Sequence, residues 1–311
     1  MPTPTSRRLA ALISGACLAL LAGCGSSSDS GTDKNPSTGP GASTVPVVAS
    51  TNVYGDIVKQ IGGDKVTVTS IMDSPDQDPH SFEASTQNQL TLSKAKVVIE
   101  NGGGYDDFVD RMLKSSNASP ELINVVDLSG KTAPAGGELN EHVWYDFPTM
   151  AALADRIAAV LGKADPANAA AFTANADDFK TKLQGLAAEE ADVKKAHDGA
   201  AIGITEPVPL YMTEAAGLVD KTPSEFSEAI EEGDDVSPQV LQETLALYRD
   251  KQVKALVYNA QTSGPQTDRV KDAATAAGIP VVPVTETLPR GKDYLTWMTA
   301  NVDALAGALG K

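Results

Sequence analysis

Residues 165–198 read DPANAAAFTANADDFKTKLQGLAAEEADVKKAHD. Asp165 followed by Pro166 is a helix start, an N-cap with proline in the first turn, where the missing N–H has no partner to lose. Phe172, Ala176, Phe179, Leu183 and Leu186 then hold one apolar stripe of a helix that runs to about His197. At 1.5 Å per residue such a segment is roughly 45 Å long, enough to traverse a whole domain. The stretch predicts a rigid strut with a folded lobe on either side. His197 ends it, where a cationic group complements the helix dipole, and it is assigned no further role.

Upstream of the strut, strand and helix patterns alternate. Val45 to Ala49 reads as a buried strand, and Tyr54, Ile57, Val58 and Ile61 follow at helical spacing before Gly62-Gly63. Lys65 to Ile71 alternates as a strand, a short helix closes between Leu90 and Ala95, and Lys96 to Glu100 is a strand halted by Asn101-Gly102-Gly103-Gly104. A helix follows from about Asp106, Leu122 to Val126 is a fourth apolar run, and Leu153, Ile157, Val160 and Leu161 mark another helix. Downstream, Ala200 to Thr205, Val253 to Tyr258 and Val281 to Val284 are strands, and Ser237-Pro238 restarts a helix with Leu241, Leu245 and Tyr248. Strands that alternate with helices imply a mostly parallel sheet. The expected fold is α/β: a lobe over 45–163, a linking helix over 164–198 and a second lobe over 199–311.

The amino-terminal residues stand apart from this pattern. Arg7 and Arg8 precede an apolar run from Leu9 to Ala22 that is short for a membrane span, and Leu21-Ala22-Gly23-Cys24 closes it. Residues 1–24 resemble a bacterial lipoprotein signal, in which Cys24 carries the lipid. Residues 25–44, rich in Gly, Ser, Thr and Pro, read as a flexible tether. The chain has 2 cysteines, and Cys17 leaves with the signal, so the mature folded part holds no thiol. Disulfides and thiolate metal sites are excluded, and any metal site must use imidazole, carboxylate or backbone oxygen. A formal net charge of −16 supplies no basic face for nucleic acid.

Within the lobes, candidate ligands gather in loops after strands. His80 lies in IMDSPDQDPHSFEAS (residues 71–85), a polar, proline-broken loop beyond the second strand. His142 lies in GGELNEHVWYDF (residues 136–147), between the fourth strand and its helix, which puts both imidazoles at carboxyl ends of one sheet. Trp144 and Tyr145 either line a dry wall or anchor that loop. Glu206 follows the first strand of the second lobe, and Glu286 its last. Asn259 and Gln261 stand where they could hydrogen-bond those carboxylates. Gly102 to Gly104 lacks phosphate-loop spacing and reads as a tight turn, and the acidic run 227–235, SEAIEEGDD, lacks EF-hand spacing and reads as a solvated helix end.

Together the lipoprotein signal, Asp78-Pro79-His80, Glu141-His142-Val143-Trp144, Thr205-Glu206 with Tyr211, and Glu286 resemble the zinc- and manganese-binding proteins of bacterial ABC importers. The resemblance spans Val45 to Leu309. It implies two α/β lobes bridged by one helix, with Zn2+ or Mn2+ held as transported ligand by His80, His142, Glu206 and Glu286. It also implies a monomer, lipid-anchored on the extracytoplasmic face of the cell membrane, that delivers metal to a permease and its ATPase without catalysis. Family members usually carry aspartate where this chain has Glu286. Two neutral imidazoles and two carboxylates balance a divalent ion, which zinc accepts tetrahedrally and manganese accepts with bidentate carboxylates. The alternatives are a zinc-dependent hydrolase, against which HExxH is absent and four protein ligands leave no necessary open site for water, and a binding protein or adhesin for a non-metal ligand.

Overall fold

Buried β-branched strands alternate with amphipathic helices along the chain. In the computed structural model, residues 44–74, 77, 82–116, 118–135 and 137–310 are described. The stretch read as a signal with Cys24, nearly all of that read as a tether, and His80 lie outside them. The first lobe contains β1 (Val45–Thr51), α1 (Asn52–Gly62), β2 (Val66–Met72), α2 (Thr86–Leu92), β3 (Val97–Glu100), α3 (Phe108–Ser115), β4 (Glu121–Asn124), α4 (Val125–Ser129) and α5 (Phe147–Ala164). Helix α6 (Ala169–His197) leads to β5 (Ala201–Ile204), α7 (Leu210–Ala215), β6 (Val219–Asp220), α8 (Ser224–Glu231), α9 (Pro238–Arg249), β7 (Leu256–Asn259), α10 (Pro265–Ala276), β8 (Val281–Val284) and α11 (Tyr294–Leu309).

Both sheets are parallel and share one topology, β2-β1-β3-β4 and β6-β5-β7-β8. Strand order reverses between β1 and β3 and again between β5 and β7. In open α/β sheets that reversal leaves a crevice beyond the carboxyl ends, where ligands bind.

The strut is present, with adjustments. Pro166–Asn168 form a 3-10 turn and the α-helix starts at Ala169. Asp165 does not cap it through the backbone; its Oδ2 accepts from Asn168 Nδ2 at 2.6 Å. The 29 residues of α6 span about 43 Å. Its buried stripe continues past Leu186 to Glu190 and Val193. The fourth apolar run is not all strand. Asn124 Oδ1 accepts the N–H of Asp127 at 2.9 Å, and this cap turns Val125 and Val126 into the start of α4. Strand β6, two residues long, had too little periodicity to be read from sequence.

One hydrophobic core unites the lobes. It joins Val47 and Ile99 of the first sheet, Phe179 and Leu183 of α6, Ile204 and Val282 of the second sheet, and Trp297 and Leu305 of α11. Separating the lobes would therefore expose apolar surface. Polar ties add to it. Asn52 accepts the N–H of Leu288 at 2.8 Å and donates to its carbonyl at 3.0 Å, and Asp56 Oδ2 accepts the N–H of Tyr294 at 2.9 Å. Tyr294 donates to the Trp144 carbonyl at 2.6 Å, and Tyr145 to that of Thr285 at 2.8 Å.

Candidate metal centre

The first-lobe wall is built around a glycine turn. After β3, Gly102, Gly103 and Gly104 have φ of 79°, 71° and 100°, a left-handed run in which side chains are strained. A Cβ on Gly102 would collide with the Asn124 amide, and one on Gly103 would press on Glu141 at 3.1 Å. The turn thus seats the loop bearing Glu141 and His142 and aims Tyr105 inward. The tight-turn reading of these glycines holds.

His142 is fully buried. It follows α4 and a loop, not a strand directly, because the chain becomes helical at Val125. Its ring packs edgewise on Trp144, centroids 5.0 Å apart, and on Tyr105 at 5.9 Å. Trp144 thus walls the imidazole, and Tyr145, packed on Trp297 and bonded to the Thr285 carbonyl, anchors the loop. Nδ1 of His142 lies 2.7 Å from Asn140 Oδ1, so its Nε2 faces away from that contact.

The second-lobe wall carries the two glutamates, 2 % and 1 % exposed. Asn259 ends β7, its backbone N–H donating to Thr205 Oγ1 at 2.9 Å. Its Nδ2 donates to Glu206 Oε2 at 2.6 Å and to Glu286 Oε1 at 2.8 Å, holding both carboxylates together at the strand-order reversal. Gln261 braces the backbone beside them. Its Oε1 accepts the backbone N–H groups of Glu286 and Thr287 at 2.6 and 2.8 Å, fixing the turn that presents Glu286. Across the cleft, Tyr105 donates to Glu286 Oε2 at 3.3 Å.

Sequence reasoning missed Glu231. The run 227–235 was read as solvated, and Glu228, Glu232, Asp234 and Asp235 are indeed exposed. The Glu231 side chain is 8 % exposed, with Oε1 3.6 Å from Nε2 of His142. On α8, Phe226, Ser227 and Ile230 are buried, and Glu231 lies one turn beyond Ser227 on that inward face. That spacing was the available signal. Glu141, His142 and Glu231 each offer a ligand atom within 4.8 Å of the others. Burial raises the pKa of Glu231, and the charges of Glu141, Glu206 and Glu286 raise it further. Burial also raises Glu141, which hydrogen-bonds Glu231. Carboxylates crowded in this way resist ionisation until a cation joins them.

The structure thus brings His142, Glu206 and Glu286 to one cleft, adds Glu231, and leaves His80 outside the described residues. No helix among the described residues is long and apolar enough to cross a membrane.

Comparison with known proteins gives a consistent picture. The family model described as "ZnuA: Zinc-uptake complex component A periplasmic" matches residues 47–308. The manganese-binding lipoprotein MntA of Bacillus subtilis is 30 % identical over 251 residues, covering 75 % of this chain and 76 % of that one. The manganese ABC transporter substrate-binding lipoprotein scaA of Streptococcus gordonii is 26 % identical over 296 residues, covering 88 % and 92 %. Among solved structures, the periplasmic zinc binding protein TroA of Treponema pallidum superposes with a TM-score of 0.74 at 19 % identity, covering 86 % of this chain and all of that one.

Proposed function

This chain belongs to the family of periplasmic zinc-uptake component A proteins, and we propose on that premise that its cleft binds a zinc or manganese ion through His80, His142, Glu206 and Glu286. It is the substrate-binding protein of a metal ABC importer, and its task is capture and handover without turnover.

The observation that carries the ligand set is the burial of His142, Glu206 and Glu286 at 0 %, 2 % and 1 % exposure, in loops that follow the strands of the two parallel sheets. Charged side chains are buried this completely only when paired or when they coordinate metal. Asn140 and Asn259 orient them as outer partners orient ligands in metal sites. With His80, the set supplies two neutral imidazoles and two carboxylates, which balance a divalent ion. Relatives named for manganese and a family named for zinc support both ions as cargo.

Relatives named as lipoproteins support a lipid on Cys24, with residues 25–44 tethering the folded part on the extracytoplasmic face, where it meets a permease that is driven by its own ATPase. Release at the permease proceeds by a small outward shift of the second lobe's carboxylates, because the shared core resists wide opening.

The test is a titration of chelator-stripped protein with zinc and with manganese, read by thermal shift and competition. Saturable stabilisation by at least one ion is expected, and Glu286→Ala should weaken it about 100-fold while leaving the circular dichroism unchanged. Unchanged affinity in Glu286→Ala would remove Glu286 from the site, and no response to either ion would sink the metal reading.

A further inference from the structure

We propose that Glu231, delivered by α8, is an additional protein ligand to the bound ion and biases the site toward manganese over zinc. The inference rests on the reading of His142, Glu206 and Glu286 as ligands. It adds a residue from a third second-lobe element.

Geometry comes first. Two atoms bound side by side to one transition-metal ion, each about 2.0–2.2 Å from it, stand roughly 3–3.5 Å apart. Glu231 Oε1 is 3.6 Å from Nε2 of His142, the ring nitrogen that Asn140 does not engage. An ion bound to that nitrogen therefore lies within reach of the Glu231 carboxylate.

Burial gives the second argument. The other acidic side chains around the end of α8, Glu228, Glu232, Asp234 and Asp235, are exposed, so the sequence there tolerates solvation. Glu231 is instead turned inward, against Glu141 and His142 and within the electrostatic reach of Glu206 and Glu286. A carboxylate placed among carboxylates, away from water, is costly unless a cation joins them. The hydrogen bond that Glu231 makes with Glu141 steadies it in that position.

The consequence is chemical. With Glu231 the set of His142, Glu206 and Glu286 gains a third carboxylate. Zinc is satisfied by four ligands and gains little from a fifth, whereas manganese favours oxygen donors and higher coordination numbers. Intrinsic affinity runs the other way, toward zinc. Glu231 narrows that gap.

The experiment compares zinc and manganese affinities of the wild-type chain and Glu231→Gln by competition titration, with the electron paramagnetic resonance spectrum of bound Mn2+ as a direct view of its coordination. In Glu231→Gln, manganese affinity is expected to fall about tenfold or more, zinc affinity to stay within about threefold, and the Mn2+ spectrum to change. Glu231→Asp, which keeps the charge but withdraws it by one methylene, should shift the affinity ratio in the same direction and guards against a glutamine variant that folds poorly. Equal losses for both ions, or no change with either variant, would overturn the role of Glu231. Wild-type protein that binds neither ion would overturn the underlying metal reading instead, so the two failures are distinguishable.

Discussion

Asn140 Oδ1 accepts the backbone N–H of His142 at 3.1 Å and lies 2.7 Å from Nδ1 of the same residue. Its amide orientation is fixed twice, since Nδ2 donates to the Pro207 carbonyl at 3.2 Å. An oxygen that already accepts the backbone proton can only accept from Nδ1 as well, so Nδ1 carries the hydrogen and Nε2 the lone pair, the form in which an imidazole can ligate a cation. Asn140→Ala should weaken metal binding about 10- to 100-fold. Its thermal stability without metal should fall only modestly. Chelator competition checks the first and a melting curve the second; full affinity in the variant would mean that the tautomer is set elsewhere.

Asn259 does for the carboxylates what Asn140 does for the imidazole. One nitrogen serves Glu206 and Glu286, so their spacing depends on a single amide. Asn259→Asp replaces that donor with a third negative charge, and Asn259→Ala removes it. The aspartate variant should lose more stability without metal than the alanine variant, because like charges are then buried together. Added metal should recover more of the loss in the aspartate variant. Identical melting shifts for the two would show that the amide is not holding the carboxylates.

How much of this was legible in the sequence follows from the range of each signal. The strut, both sheets and the inward faces of α1 and α5 came from periodicity, which is local. Glu206 and Glu286 stand out because each follows an apolar strand, and Asn259 because it ends one, while a ligand role for the glutamates comes only from the family resemblance. Glu231 was hidden by its company: within an acidic run, composition said solvent, and only its one-turn offset from Ser227 on a helix whose other face was unknown pointed inward. Asn140 and Tyr105 act through contacts across 2 and 181 residues, respectively, and neither carries a motif. Asp165 misled because Asp-Pro begins a 3-10 turn as readily as an α-helix.

Asn52, at the start of α1, binds both backbone groups of Leu288, directly after the Thr287 that follows Glu286. Asn52→Ala removes two hydrogen bonds between first-lobe and second-lobe elements and should cost about 1–3 kcal/mol. For a chain of this size that lowers Tm by about 2–8 °C. Because the tie lies beside the turn that presents Glu286, metal should also dissociate faster in stopped-flow chelation. A variant that melts early but releases metal at the wild-type rate would confine Asn52 to a structural role.

Glu190 lies on the buried stripe of α6, 5 % exposed, and its Oε1 has no hydrogen-bond partner among the described residues. Burial, and secondarily the charge of Asp146, pushes its pKa from 4.5 up to about 8. The folded state therefore holds this proton over a pH range in which the unfolded chain has lost it. Stability falls with rising pH wherever the folded state binds more protons, so the penalty is absent below about pH 4.5, grows through neutrality and is complete above about pH 8. Glu190→Gln keeps the shape and cannot ionise. It should be more stable than wild type by up to about 5 kcal/mol at pH 9, with the difference shrinking to nearly nothing at pH 4. Paired denaturation curves at the two pH values check this. A difference that is the same at both would mean that Glu190 is not ionising inside the fold, and a difference of opposite sign would mean that its charge is compensated there.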